Sequence, residues 1–199
     1  MKYGNQTTRL VFALTMFVFC AADIPAQTKA NPQTVVDYYL LLPTENLPIL
    51  ESVVNRRSII KKQDLKNGYL RLEGGWEGWA EIALFRKKNR EAVIGVAEVG
   101  CGPACSGAAQ FLTFRNGKWT DVTTKVMPEL EDADILAAYN RLKTKDDDAH
   151  SLDDMPYTYW QMPQKGTTLK LLLGDESESS GKTLINFAWN GERFVKAAK

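Results

Sequence analysis

Apolar and polar positions alternate with period two through most of the chain from about residue 58 onward, and this predicts a sheet-rich protein. The clearest strand is 79–85, where Ala80, Ile82 and Leu84 share one face and Trp79, Glu81, Ala83 and Phe85 the other. Residues 69–72, 92–99, 109–115, 118–122, 157–162, 168–173, 183–189 and 193–195 read as further strands. Turn chemistry separates them. Lys66-Asn67-Gly68, Asn116-Gly117 and Asn190-Gly191 are hairpin signals, because a type I′ turn needs positive φ at both central residues. Residues 87–90 form a charged turn.

Two stretches change period. Residues 33–42 carry Val35, Val36, Tyr39, Leu40 and Leu42 on a broad apolar face, with Asn31 as a cap, Pro32 in the first turn and Pro43 as a stop. Residues 130–143 place Ile135, Leu136, Tyr139 and Leu142 on one face, with acidic residues at the start and Arg141 and Lys143 at the end, as the helix dipole favours. Residues 44–57 fit either a second short helix or irregular chain, because Pro48 limits where a helix can begin. The expected fold class is therefore α+β: mainly antiparallel sheet built from hairpins, with an N-terminal helix and one helix inserted near 130–143.

The segment FLTFRNGKW at 111–119 resembles LINFAWNGERF at 184–194. Two similar hairpins explain this, and a duplicated antiparallel unit spanning 79–122 and 157–195 is the sharper alternative.

The opening of the chain has a different logic. Lys2 and Arg9 precede an uncharged apolar run at 10–22, and small residues follow. That order predicts a secretory signal peptide over 1–26, cleaved after Ala22 or Ala26. The run is shorter than the roughly 20 residues that span a bilayer. Phe19, just before Cys20, disfavours lipid attachment there. The expectation is a soluble exported protein, periplasmic or extracellular, with residues 27–199 as a single domain and no membrane span after removal of the leader.

The chain has 25 Lys and Arg and 24 Asp and Glu. Losing Lys2, Arg9 and Asp23 with the leader leaves it formally neutral, which argues against broad affinity for nucleic acid or anionic membrane. Cys101 and Cys105 then remain as an even pair, CGPAC, and an oxidising compartment predicts a disulfide between them. Redox enzymes that carry CGPC differ in two ways: the sulfurs are one residue closer, and a long helix follows.

Catalytic motifs are scarce. His150 is the only histidine and sits in a polar loop, and no GxSxG surrounds a serine. Ser180-Gly181-Lys182-Thr183 lacks the glycine spacing and following helix of a phosphate loop. The acidic stretch 146–154 offers oxygen ligands for calcium, but Ser151 stands where an EF-hand needs glycine, and a solvated charge run is the commoner outcome. Residues 175–178 are a weaker candidate of the same kind. Neither a metal site nor a cofactor is expected. Carboxylate pairs such as Glu73 and Glu77, or Glu81 and Glu98, are the available acid–base groups.

For binding, Trp76 and Trp79 beside Gly74-Gly75 are the first candidates, as a stacking platform for a sugar or peptide. Core packing of both indoles is the plainer expectation. The expected function is a non-catalytic binding or inhibitor module that engages a protein or carbohydrate through Trp76, Trp79 and residues 100–107. The alternatives are an envelope-associated hydrolase using a carboxylate pair, and a structural envelope component.

Overall fold

A computed structural model of the chain describes residues 32–51, 53–102, 105–142, 151–174 and 181–197. The expected leader at 1–26, His150, residues 146–150 of the acidic stretch and residues 175–178 lie outside the described residues.

The first helix, α1, runs Val35–Leu41 and starts later than its apolar face suggests. Thr34, not Asn31, is its cap. The Asp37 amide donates to Thr34 Oγ1 at 3.2 Å, and the Thr34 amide donates to Asp37 Oδ2 at 2.9 Å. This reciprocal box satisfies two end donors where a lone Asn cap satisfies one. The far end closes at Leu42, ahead of Pro43. There Arg56 Nη1 donates to the carbonyls of Leu40 at 3.2 Å and Leu42 at 2.5 Å, and the Tyr39 hydroxyl donates back to the Arg56 carbonyl at 2.7 Å. The ambiguous stretch at 44–57 resolves into short 3-10 turns at Thr44–Asn46, Pro48–Glu51 and Arg56–Ile59.

Two antiparallel sheets follow. The first has six strands in chain order: β1 Ile60–Asp64, β2 Tyr69–Glu73, β3 Gly78–Arg86, β4 Ala92–Cys101, β5 Cys105–Arg115 and β6 Lys118–Asp121. The second has four: β7 Thr158–Gln161, β8 Thr168–Leu173, β9 Lys182–Trp189 and β10 Phe194–Lys196, again each beside the next. Between them lie a one-turn helix, α2 (Thr123–Val126), and α3 (Asp132–Asn140). The architecture is the sheet-dominated α+β fold that the sequence predicts. The inserted helix is shorter than 130–143, and α2 carries no apolar repeat that would announce it.

The Asn-Gly turns at 116–117 and 190–191 differ, and at 67–68 only Gly68 (φ 68°) is left-handed. Asn116 (φ 50°) and Gly117 (φ 77°) are both left-handed, as type I′ requires. At the second turn only Gly191 is left-handed, and Asn190 Oδ1 instead accepts from the Glu192 and Arg193 amides, both at 2.9 Å. The similar segments at 111–119 and 184–194 thus share strand pairing but not turn geometry.

Both faces of the first sheet are covered, which is why β4 is apolar nearly throughout. Ala80 and Ile82 of β3, with Ile94 and Val96 of β4, pack against α1 and the 3-10 segment through Val35, Tyr39, Leu42, Leu47 and Leu50. Ala83, Phe85, Val93 and Phe111 face the other way, onto Leu169, Leu171, Phe187 and Phe194 of the second sheet and Val126 and Tyr139 of the helices. Phe85, Phe111, Phe194 and Trp189 form an aromatic cluster with centroids 5.0–6.1 Å apart. Each fully buried Phe of this kind contributes about 1.5–3 kcal/mol. Gly107 allows β7 to lie close on β5: a Cβ there would meet Tyr159 Cβ at 2.8 Å and Cα at 2.9 Å.

Candidate ligand-binding cleft

The second sheet changes character along one face, and a cleft opens where it does. Tyr159 of β7 pairs with Leu172 of β8, and this rung packs on Trp79 and Val99 of the first sheet. Trp79 and Tyr159 meet edge to face at 5.6 Å. One step along on the same face, Gln161 pairs with Lys170. Two polar side chains cannot continue an apolar seam without losing hydration, and a cleft of about 580 Å³ takes its place. Tyr69, Arg71 and Glu81 line it from the first sheet, Lys62 from β1, and Gln161, Met162, Pro163, Gln164, Lys165, Thr168 and Lys170 from β7, β8 and their connection.

Glu81 organises the floor. It is one of two buried polar or charged residues described, at 4% exposure, and lies on the β3 face whose other members are Trp79, Ala83 and Phe85. The Tyr69 hydroxyl donates to Glu81 Oε1 at 2.8 Å, Arg71 Nη1 donates to the same oxygen at 3.2 Å, and the Met162 amide donates to Oε2 at 2.8 Å. Strand register explains the first two, because Arg71 stands opposite Glu81 and Tyr69 opposite Ala83. The third bond reaches across to the connection between β7 and β8, so one carboxylate ties a cleft wall to the cleft floor. Arg71 Nε also holds Glu73 at 2.5 Å, and its guanidinium sits 5.1 Å from the Trp79 ring centroid.

Burial pushes the Glu81 carboxyl above its ordinary range, against the opposing pull of the Tyr69, Met162 and Arg71 donors. Burial, reinforced by the Glu81 charge, likewise pushes the Tyr69 hydroxyl up. Both Glu81 oxygens are occupied and the side chain is 5% exposed, which suits a structural anchor more than a group that exchanges protons with substrate. The cleft is unbalanced in charge: four cations, Lys62, Arg71, Lys165 and Lys170, accompany one lining carboxylate.

The residues singled out from sequence are distributed differently. Glu81 and Glu98 point to opposite faces of the first sheet, since Glu98 pairs with Ala80. Glu98 is on the α1 side, where burial pushes its carboxyl up. Glu73 is joined to Glu81 through Arg71, and Glu77 lies exposed in the turn before β3. Trp79 is 5% exposed. Trp76 is half-buried against the α1-side core, and its Nε1 donates to the Val99 carbonyl at 3.3 Å. The two indoles therefore lie on opposite sides of the sheet.

Cys101 and Cys105 are joined, with S–S 2.11 Å and Cα atoms 4.0 Å apart, as a directly paired rung at the tip of the β4–β5 hairpin. The cysteine segment extends two strands and brings them next to Trp76: the Cys101 amide donates to the Glu77 carbonyl at 2.7 Å. Among the described residues no cluster of His, Cys, Asp and Glu could hold a metal ion, and no helix is long and apolar enough to cross a membrane.

Sequence reasoning missed the Tyr69–Arg71–Glu81 network. Its signal was present: a carboxylate on a strand face otherwise made of Trp, Ala and Phe demands partners of its own.

Comparison with known proteins adds fold-level likeness. A domain of an uncharacterized protein from Porphyromonas gingivalis W83 matches with TM-score 0.53 and 14% sequence identity, over 84% of this chain and 100% of that one. That likeness is one of fold alone. No protein-family model and no curated protein matches the chain.

Proposed function

We propose that this protein is an exported, non-catalytic binding domain, periplasmic or extracellular, that holds a small ligand in the cleft between its sheets. One observation carries the reading: a buried carboxylate spends both oxygens on shaping the cleft. Ordering a floor in advance lowers the entropy that a ligand must overcome, and 580 Å³ is within the usual range for small-molecule sites. Export is supported by the order of residues 1–26 and by the disulfide, which persists in oxidising compartments. The carboxylate-pair hydrolase gains no support, because Glu73 and Glu81 share one guanidinium and Glu98 lies across the sheet.

The test is to fill the cleft. The small-molecule fraction of an envelope extract or culture medium from the native source should raise the melting temperature of the wild-type protein. It should leave Gln164→Trp, which puts an indole into the cleft wall, unchanged. Equal stabilisation of both proteins would refute the cleft as the site.

A further inference from the structure

We infer that the ligand is an anionic, hydroxyl-bearing small molecule of the sugar-acid or sugar-phosphate kind, with Lys62, Lys165 and Lys170 as its charge-binding residues. This rests on the cleft being the ligand site and names the chemistry that fits it.

The cations of the cleft divide into two kinds. Arg71 is consumed internally, by Glu73 at 2.5 Å and Glu81 at 3.2 Å. None of the ion pairs among the described residues involves Lys62, Lys165 or Lys170. Lys165 stands near Asp64, whose carboxyl is held low first by the Asn67 side chain and only last by Lys165. Three lysines, from β1, β8 and the β7–β8 connection, thus line one cleft without an ion-pair partner among the described residues. In a chain of net charge +1, composition alone does not explain such a gathering.

A cleft lined by more cations than anions carries a positive potential that attracts an anion. The same cleft is lined by neutral hydrogen-bonding side chains, the amides of Gln161 and Gln164 and the hydroxyl of Thr168. Gln164 Nε2 makes only a long contact, 3.4 Å, to Asp64. Amides and a hydroxyl both donate and accept, which suits ligand hydroxyl groups. The floor carboxylate does not repel an incoming anion strongly, because Tyr69, Arg71 and the Met162 amide already satisfy it.

Calorimetric titration with three probes decides the matter: galacturonate, glucose 6-phosphate and galactose. Galacturonate, glucose 6-phosphate or both should bind at low salt, and whichever is tighter identifies carboxylate or phosphate as the source of charge. Galactose should bind at least about tenfold more weakly. Lys170→Gln should weaken the acid about three- to tenfold, and the triple change at Lys62, Lys165 and Lys170 should abolish binding; these exposed or half-exposed positions leave the fold intact, which circular dichroism checks. Galactose binding as tightly as the acids, and lost in Gln164→Trp, would overturn the inference and leave the cleft standing. Failure of all three probes, or acid binding that survives the triple change, would overturn the inference as well. In either case the extract experiment on Gln164→Trp judges the cleft separately.

Discussion

Replacing Glu81 by Ala should be among the most damaging single changes in the protein, although the residue faces a cleft. The carboxylate accepts from the Tyr69 hydroxyl, Arg71 and the Met162 amide, at 2.8, 3.2 and 2.8 Å. Alanine leaves the buried Met162 amide without an acceptor, at about 1–3 kcal/mol. It also removes one of the two carboxylates that neutralise Arg71, whose side chain is 29% exposed. Deleting one partner of a buried pair costs about 3–5 kcal/mol when the other charge is left uncompensated; Arg71 keeps Glu73, so the whole loss should be about 2–4 kcal/mol, still a large share of the roughly 5–15 kcal/mol that stabilises a typical domain. Tyr69→Phe removes a single donor and should cost only about 1 kcal/mol. Urea denaturation followed by tryptophan fluorescence reads both variants. With a slope of about 2 kcal/mol per molar, the Glu81→Ala midpoint should fall by about 1–2 M at unchanged slope. A loss below about 1 kcal/mol, or equal losses for the two variants, would refute the idea that this carboxylate holds the sheets together.

Four further outcomes follow from the same structure. The stability gap between wild type and Glu81→Gln should narrow as pH rises from 4 to 7 in denaturation curves: a carboxyl raised by folding contributes stability that is full below its unfolded value and lost as pH climbs through the folded one. Gly107→Ala should cost about 1–3 kcal/mol because its Cβ meets the Tyr159 backbone, whereas Gly100→Ala, with nothing within 4 Å, should be near neutral by the same assay. Thr34→Ala should lose about 1 kcal/mol through the cap of α1, read by thermal melting followed by circular dichroism. Reducing the Cys101 to Cys105 bond should lower stability by no more than about 2 kcal/mol, the chain-entropy value for so short a loop, and should leave the far-ultraviolet spectrum unchanged.

Much of the fold was legible in the sequence because local rules and tertiary demands agree. The alternation at 79–85 gives the two faces of β3 correctly, and the left-handed pair Asn116-Gly117 fixes its hairpin. Agreement fails where a side-chain contact outranks a backbone propensity. The Thr34 to Asp37 box moves the start of α1, and Asn190 caps its own loop where a type I′ turn was signalled. The cleft was less legible for a different reason. It depends on which rung of β7 and β8 meets Trp79, and on Met162 reaching Glu81 across 81 positions of chain. No local pattern encodes that meeting. What the sequence did show was the anomaly of Glu81 on an apolar face.

The account is tested most directly by mapping whichever of galacturonate and glucose 6-phosphate binds more tightly on the isotopically labelled protein by amide chemical shifts. Changes should concentrate at Arg71, Gln161, Gln164, Lys165 and Thr168, around the floor and the β7–β8 wall. Changes confined to Trp76 and residues 100–107, or no changes at any site, would contradict it.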